Sequence, residues 1–182
     1  MTLIGTFARV DLSTGSGDLS VEAATESVAA KTGSGDVFAG RCEGTLRAMT
    51  GSGDIQVERA IARSLLNTGS GSINLAAVEG VVDTKCGSGD VQVDRLDGEL
   101  VVKSGSGDVG VREARSGTIS ASTASGDVAV GVARGTAAWL DLSTVTGDVT
   151  NALDDVDTPH ESDARLELRA RTATGDIAVR RA

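Results

Sequence analysis

Apolar and polar residues alternate in short runs along the whole chain, and a glycine-rich corner separates each run from the next. One corner is followed by Val91, Gln92 and Val93, so that the two valines share one face. The run before the next corner places Leu100 and Val102 in the same inward phase. A period of two is typical of a strand with one buried face. We therefore predict two or three short strands between successive corners.

The corners carry a motif, Thr-Gly-Ser-Gly-Asp or a close variant, that recurs at a nearly constant spacing. Its last residue is 18 positions from the next through the first six copies, and the later intervals lengthen to 19, 21 and 28. A short fixed period without a helical pattern indicates one turn of a solenoid per repeat. The final motif position is occupied by Asp18, Asp36, Asp54, Ser72, Asp90, Asp108, Asp127, Asp148 and Asp176.

These observations predict an all-β fold, a single-stranded parallel β-solenoid of about nine coils of about 18 residues each. We expect right-handed coiling, by analogy with other parallel crossovers. Residues 1–182 are expected to form one domain that starts in the middle of a coil and lacks a preceding N-terminal segment. A loop insertion is predicted at 151–164, and the strand with Ile177 and Val179 is expected to end the rod. Trp139 begins the irregular coils and is a candidate for closing that end.

Composition narrows the choice of function. The chain has 24 glycines and three aromatic residues, so its core must be narrow and aliphatic. A net charge of −9 and the scarcity of aromatic side chains disfavour nucleic acid, which is bound by basic and stacking surfaces. No run of residues has the length and apolarity of a membrane span, and the N-terminus lacks the pattern of a signal peptide. We expect a cytoplasmic protein that neither binds nucleic acid nor inserts into membranes.

The motif residues are interpreted first as structural. By parity, Thr50 and Ser52 are expected to face inward, with their hydroxyl groups bonded along the rod. The glycines allow the backbone to turn. The aspartates are expected to cap turns by accepting backbone N–H groups, and Ser72 could do the same. A ladder of carboxylates that binds calcium is the less favoured alternative.

No catalytic, cofactor-binding or metal-binding residue is predicted. Cys42 and Cys86 fall in different columns more than two coils apart, so we expect two free, buried thiols rather than a disulfide. The single histidine, His160, lies in the predicted loop, where a solvent-exposed side chain is the favoured interpretation, and with no second histidine a Cys–His zinc site is not expected. An enzyme is therefore not expected.

The TGSGDV repeats, the stretch AAWLDLSTVTGDVTNAL and the final RLELRARTATGDIAVRRA resemble the bacterial DUF4097 group, an adhesin-like family related to the toastrack modules. The resemblance spans nearly the whole chain. It implies a β-solenoid without established enzymatic activity, and a link to cell-envelope stress systems. We expect a non-catalytic scaffold that binds a protein partner, or associates with itself, through its ends or faces. A cell-surface adhesin and a calcium- or glycan-binding repeat protein are the alternatives.

Overall fold

Every regular element in the described part of the chain is a β-strand. The computed structural model describes residues 1–153 and 164–182. The strands are β1 (Thr2–Ser16), β2 (Leu19–Ser34), β3 (Val37–Cys42), β4 (Thr45–Ser52), β5 (Ile55–Ala60), β6 (Ser64–Ser70), β7 (Ile73–Val78), β8 (Val81–Ser88), β9 (Val91–Ser106), β10 (Val109–Ser125), β11 (Val128–Val132), β12 (Thr136–Thr146), β13 (Val149–Ala152), β14 (Ala164–Thr174) and β15 (Ile177–Arg181). No helix in these residues is long and apolar enough to cross a membrane.

Equivalent strands pair in parallel with the coil before and the coil after. Ile55, for example, is in register with Val37 on one side and with Ile73 on the other. Each 18-residue repeat thus stacks on the last one, with strands about 4.8 Å apart. The predicted all-β parallel solenoid is confirmed, whereas its handedness and its description as one domain remain predictions.

The core consists of columns of aliphatic side chains that repeat from coil to coil. The column directly after the motif is almost fully buried, with Ile55, Ile73 and Val91 at 0% exposure. Leu100 and Val102 are buried to the same extent on the strand before the next motif. Each such side chain contributes on the order of 1.5–3 kcal/mol when it leaves water. Repetition of a thin aliphatic layer therefore replaces the aromatic centre of a compact domain.

The order of the coils in space departs from their order in the sequence at the C-terminal end. About seven turns, from the corner at Asp18 to that at Asp127, follow one another in chain order. Strand β14 then lies between β10 and β12, and β15 lies between β11 and β13. The predicted count of about nine successive coils is thus slightly too high, and the last coil of the sequence lies inside the stack rather than at its end.

The change of order occurs at the turn that joins β11 to β12. After Val132 the chain skips the next level of the stack, the one that β14 and β15 occupy. It passes through Gly135, which has a φ of 76°, and enters β12 at Thr136. The guanidinium group of Arg181 in β15 donates hydrogen bonds of 3.1 Å to the carbonyl oxygens of Ala133 and Thr136. The last strand therefore fills the level that the turn leaves open and also holds the turn in place.

Strands β12 and β13 form the outermost described coil at this end. Val145 is 85% exposed, Val149 is 46% exposed, and Leu140 and Leu142 are only partly buried. Trp139 lies on the outer side of β12, with the Arg169 guanidinium 5.6 Å from its ring centre, and is itself 55% exposed. It marks the terminal coil but leaves the end of the core open to solvent.

The predicted loop insertion is only partly described. Its first residues, Asn151 and Ala152, belong to β13, and its last residue, Ala164, begins β14. Residues 154–163, which include His160, lie outside the described residues.

Candidate functional site

The motif aspartates form a ladder of hydrogen bonds along one corner of the rod. The carboxylate oxygen Oδ1 of Asp18 accepts the backbone N–H of Asp36 at 3.0 Å, and Asp36 in turn accepts that of Asp54 at 2.8 Å. The same bond continues through the later corners, including those whose order in space is reversed. The aspartates accept backbone N–H groups as expected, but the donors lie one coil away rather than within the same turn. Each carboxylate therefore joins two coils.

Ser72 interrupts this ladder. Its backbone N–H donates to Oδ1 of Asp54 at 2.7 Å, so the preceding step is intact. Among the described residues, no side-chain acceptor is found for the backbone N–H of Asp90, which would be the next donor. A serine hydroxyl is one atom shorter than a carboxylate and does not span the gap between coils. The expectation that Ser72 replaces the aspartate is therefore wrong for the acceptor role.

A second ladder runs just inside the corner and is made by the motif threonines. The Oγ1 atoms of Thr32, Thr50 and Thr68 donate to the carbonyl oxygen of the second motif glycine one coil below, at 3.0–3.1 Å. This confirms that the threonines face inward. Ser104 occupies the same column, and its buried hydroxyl oxygen has no hydrogen-bond partner among the described residues.

The motif serines, in contrast, face outward. Ser34, Ser52 and Ser70 are exposed, so the expectation that they continue the inward phase is wrong. The serine is the last residue of its strand, next to the bend at the second motif glycine, and the alternation of inward and outward side chains is lost over these last residues. The hydroxyl column in the interior is thus made by threonine alone.

Both glycines of the motif are required by the stacking distance. A β-carbon on Gly51 would lie 2.5 Å from the carbonyl oxygen of Gly33, and one on Gly53 would lie 2.1 Å from that of Gly35. Gly53 also has a φ of 158°, at the edge of the region that favours glycine. The corner therefore excludes side chains because the backbones of neighbouring coils meet there.

Calcium binding by the aspartate ladder is poorly supported by this geometry. Calcium takes six to eight oxygen ligands. Each bonded aspartate already uses Oδ1 for a backbone N–H. Within residues 1–153 and 164–182, no three metal-ligating side chains converge on one point.

The two cysteines are free and buried. Burial raises the pKa of Cys42 to about 11, from an ordinary value of 9.0. Burial, and secondarily the Asp90 carboxylate, also raises the pKa of Cys86. A nucleophilic cysteine needs a lowered pKa to be present as the thiolate. Both thiols are thus chemically quiet parts of the core, and the prediction of two free, buried cysteines is confirmed.

A different corner of the rod carries arginines at repeat spacing, and the sequence analysis did not single it out. Arg41 and Arg59 are in direct register, and Ala77 separates them from Arg95. These residues line a shallow groove with Glu79 and Asp97. The recurrence of arginine five positions after the motif aspartate is the sequence signal that could have revealed this groove.

This groove adjoins a second, more basic one, which we name the C-terminal arginine groove. It has a volume of about 920 Å³ and lies between residues 112–115 near the start of β10, the β11–β12 turn and the end of β15. Arg115 borders both grooves. The lining of the C-terminal arginine groove consists of Arg112, Glu113, Arg115, Ala133, Arg134, Gly135, Thr136, Ala164, Arg180, Arg181 and Ala182.

The fold and the corner define the class of the protein, a parallel β-solenoid repeat protein whose recurring motif joins coil to coil. Within that class, the chain belongs to the DUF4097 family, described as Toastrack, whose sequence profile matches residues 5–181. This confirms the resemblance noted in the repeats and in the C-terminal block. Neither a curated protein nor a solved structure matches the chain. Family and fold together suggest a repeat scaffold that is not an enzyme.

Proposed function

We propose that the protein is a non-catalytic scaffold that binds a protein partner through the outer faces of its solenoid. The observation that supports this most directly is the division between inside and outside. The interior of each coil consists of aliphatic and threonine columns that hold the stack together. The outward positions repeat from coil to coil at a spacing of about 4.8 Å. Such a surface offers a rigid array of charged and polar groups to a second macromolecule.

The chemistry of the described motif residues supports a non-catalytic role. The exposed motif carboxylates accept backbone N–H groups, and the thiols have raised pKa values. General acid–base catalysis instead needs a titratable group poised near the working pH and within reach of a nucleophile. The motif therefore serves the stack, and the outer surface remains for recognition.

The proposal is tested by placing a photo-crosslinking amino acid on three outward positions in the cell, Gln56, Lys103 and Arg95 in turn. We expect one face to yield a discrete crosslinked protein and the other two to yield much less. The unsubstituted protein under the same illumination is the control. A uniform lack of crosslinks at all three positions, with the protein folded and expressed, would contradict the scaffold proposal.

A calcium- or glycan-dependent adhesin is the second candidate, and one observation favours it. The aspartate ladder is exposed and uses a single oxygen of each bonded carboxylate, so the other oxygen remains available. Light scattering with and without millimolar calcium, and with a chelator, tests it. We expect mass and stability to be independent of calcium. A calcium-dependent change would favour the adhesin, and calcium-independent oligomers would indicate self-association through the open coil of β12 and β13.

The setting that we propose is the cytoplasm, and the family resemblance supports contact with cell-envelope systems. Two buried, free thiols fit a reducing compartment. Cell fractionation of the native protein tests this. Recovery with the periplasmic or extracellular fraction would contradict it.

A further inference from the structure

We propose that the C-terminal arginine groove is a docking site for an extended, acidic segment of the partner protein. The inference rests on the proposed function, because it names the surface and the chemistry by which the scaffold would bind its partner.

The charge of the groove is opposite to that of the molecule. The protein carries a net charge of −9, yet five arginines and a single glutamate line this groove. Arg112 meets Asp94 at 3.6 Å and Arg115 meets Glu113 at 3.1 Å; three of these side chains are exposed and that of Glu113 is partly buried. Exposed pairs of this kind contribute about 1 kcal/mol or less. An incoming carboxylate can therefore compete for these guanidinium groups, which bind carboxylates in a bidentate fashion.

The net excess of positive charge lies at one end of the corner, because Arg41 and Arg59 on the earlier coils are paired with Glu43 and Glu79. The position four residues after the motif aspartate is acidic in earlier coils, at Glu58 and Asp94, and becomes Arg112 and Arg180 in later ones. The position seven residues after it changes from Glu79 and Asp97 to Arg115 and Arg134. A partner segment would be repelled along the earlier coils and attracted at the last ones, which sets where it binds.

Arg181 is held in place from within the protein. Its Nη1 atom donates to the carbonyl oxygens of Ala133 and Thr136, both at 3.1 Å. Fixing a guanidinium group before binding lowers the entropy lost when a ligand arrives. The remaining arginines, Arg112, Arg115 and Arg134 among them, are exposed and can adjust to the ligand.

The floor of the groove suits a polypeptide better than a nucleic acid or a sugar. Ala133, Gly135 and Ala182 leave room for an extended backbone. Side chains on one side of such a backbone repeat at about 6.6 Å, a spacing that arginines on neighbouring coils can reach. Among residues 1–153 and 164–182, no aromatic side chain lines the groove, whereas binding of single-stranded nucleic acid relies on stacked aromatic rings.

The test is fluorescence anisotropy of a labelled decapeptide of alternating glutamate and alanine, titrated with the full chain at low and at moderate salt. The groove variant carries Arg134→Glu and Arg180→Glu. The matched control carries Arg9→Glu and Arg47→Glu, the same change of charge at exposed positions outside the groove. We expect the groove variant to bind about tenfold more weakly and the control to change by less than about twofold. Equal unfolding midpoints would show that the variants are folded.

Three outcomes would overturn the assignment. Equal weakening in both variants would mean that binding follows net charge rather than the groove. A second such outcome is a polyphosphate of matched charge that binds as tightly as the decapeptide, with the same dependence on Arg134 and Arg180. That result would mean that the groove does not select a peptide. Residues 154–163 carry five acidic side chains and lead into Ala164 on the groove lining. Binding seen only after those five are neutralised would assign the groove to the chain itself.

Failure here is distinguishable from failure of the scaffold proposal. If the groove variant keeps the crosslinks formed in the cell from another face, the scaffold stands and the groove assignment falls. If no face gives a crosslinked protein, the scaffold proposal falls whatever the peptide does.

Discussion

The side chain of Arg181 donates a hydrogen bond of 3.1 Å to the carbonyl oxygen of Thr136, a residue 45 positions earlier in the chain. Thr136 is the first residue of β12, the strand that has passed over one level of the stack. Arg181 belongs to β15, which occupies that level. A hydrogen bond from one guanidinium group thus connects the displaced strand β12 to β15, the strand that occupies the level between β11 and β13.

Replacement of Arg181 by alanine should loosen this end of the solenoid. The change removes two hydrogen bonds from a charged donor, and we expect a loss of about 1–3 kcal/mol in the free energy of unfolding. Hydrogen exchange should accelerate in β12 and β13 while the earlier coils keep their protection. The neighbouring exposed residue supplies the control, since Arg180→Ala should change little. Uniform acceleration along the chain would contradict a local role.

A β-carbon at the motif corner should be tolerated only where no coil lies beneath it. In Gly51→Ala the new atom would lie 2.5 Å from the Gly33 carbonyl oxygen, whereas in Gly15→Ala it would have no neighbour within 4 Å. We expect Gly51→Ala to cost about 1–3 kcal/mol, as for other overpacked sites. Gly15→Ala should stay within about 0.5 kcal/mol of the parent. Chemical denaturation of both variants measures the difference, and equal costs would refute the stacking explanation.

Completion of the aspartate ladder should stabilise the protein. Ser72→Asp places a carboxylate where it can accept the backbone N–H of Asp90, as Asp90 itself does for Asp108 at 2.8 Å. The expected gain is about 0.5–1.5 kcal/mol, reduced by repulsion from neighbouring carboxylates. Ser70→Asp adds the same charge at an exposed site outside the ladder and should give no gain. A gain from both, or from neither, would argue against the ladder as a stabilising element.

The buried thiol of Cys42 should make stability fall at alkaline pH. Its pKa is raised from 9.0 to about 11 in the folded protein. Between these values the unfolded chain releases the proton while the folded chain retains it, so the free energy of unfolding decreases as pH rises. We expect about 1–2 kcal/mol of this decrease to disappear in Cys42→Ala, a change that suits a column holding Ala24 and Ala60. Denaturation curves at pH 8 and 10.5 test it, and parallel losses in both proteins would count against it.

Most of the fold could be predicted because one period governs both the sequence and the stack. Residues one repeat apart, such as Ile55 and Ile73, are neighbours in space, so aligning the motif already aligns the core. The inward threonines followed from the same alternation. The outward serines did not, because the alternation of inward and outward side chains is lost over the last strand residues, Gly51 and Ser52, next to the bend at Gly53.

The reversed order of the last coils could not be predicted from the columns. Leu140 and Leu142 occupy the same two inward positions as Leu168 and Ala170, so either order fills the core equally well. A weak signal was present in Asn151, a polar residue in an otherwise apolar column. It lies in β13, where all four residues are exposed, as suits the outermost coil.

The arginine groove was missed for a related reason. Repeat alignment draws attention to what is constant, and the groove arises where the repeat changes from acidic residues to Arg112 and Arg134. Arg180 and the turn at Ala133 form two further sides of the groove. These two sides are close in space only because β15 lies between β11 and β13.

The insertion of β14 and β15 between earlier strands also bears on how the chain is made. Synthesis on the ribosome proceeds from the N-terminus, and the first seven turns can stack as each one emerges. The coil of β12 and β13 emerges next but has no neighbour to pair with until residues 164–182 have been added. Completion of this end must therefore wait until residues 164–182 have been synthesised and have left the ribosome.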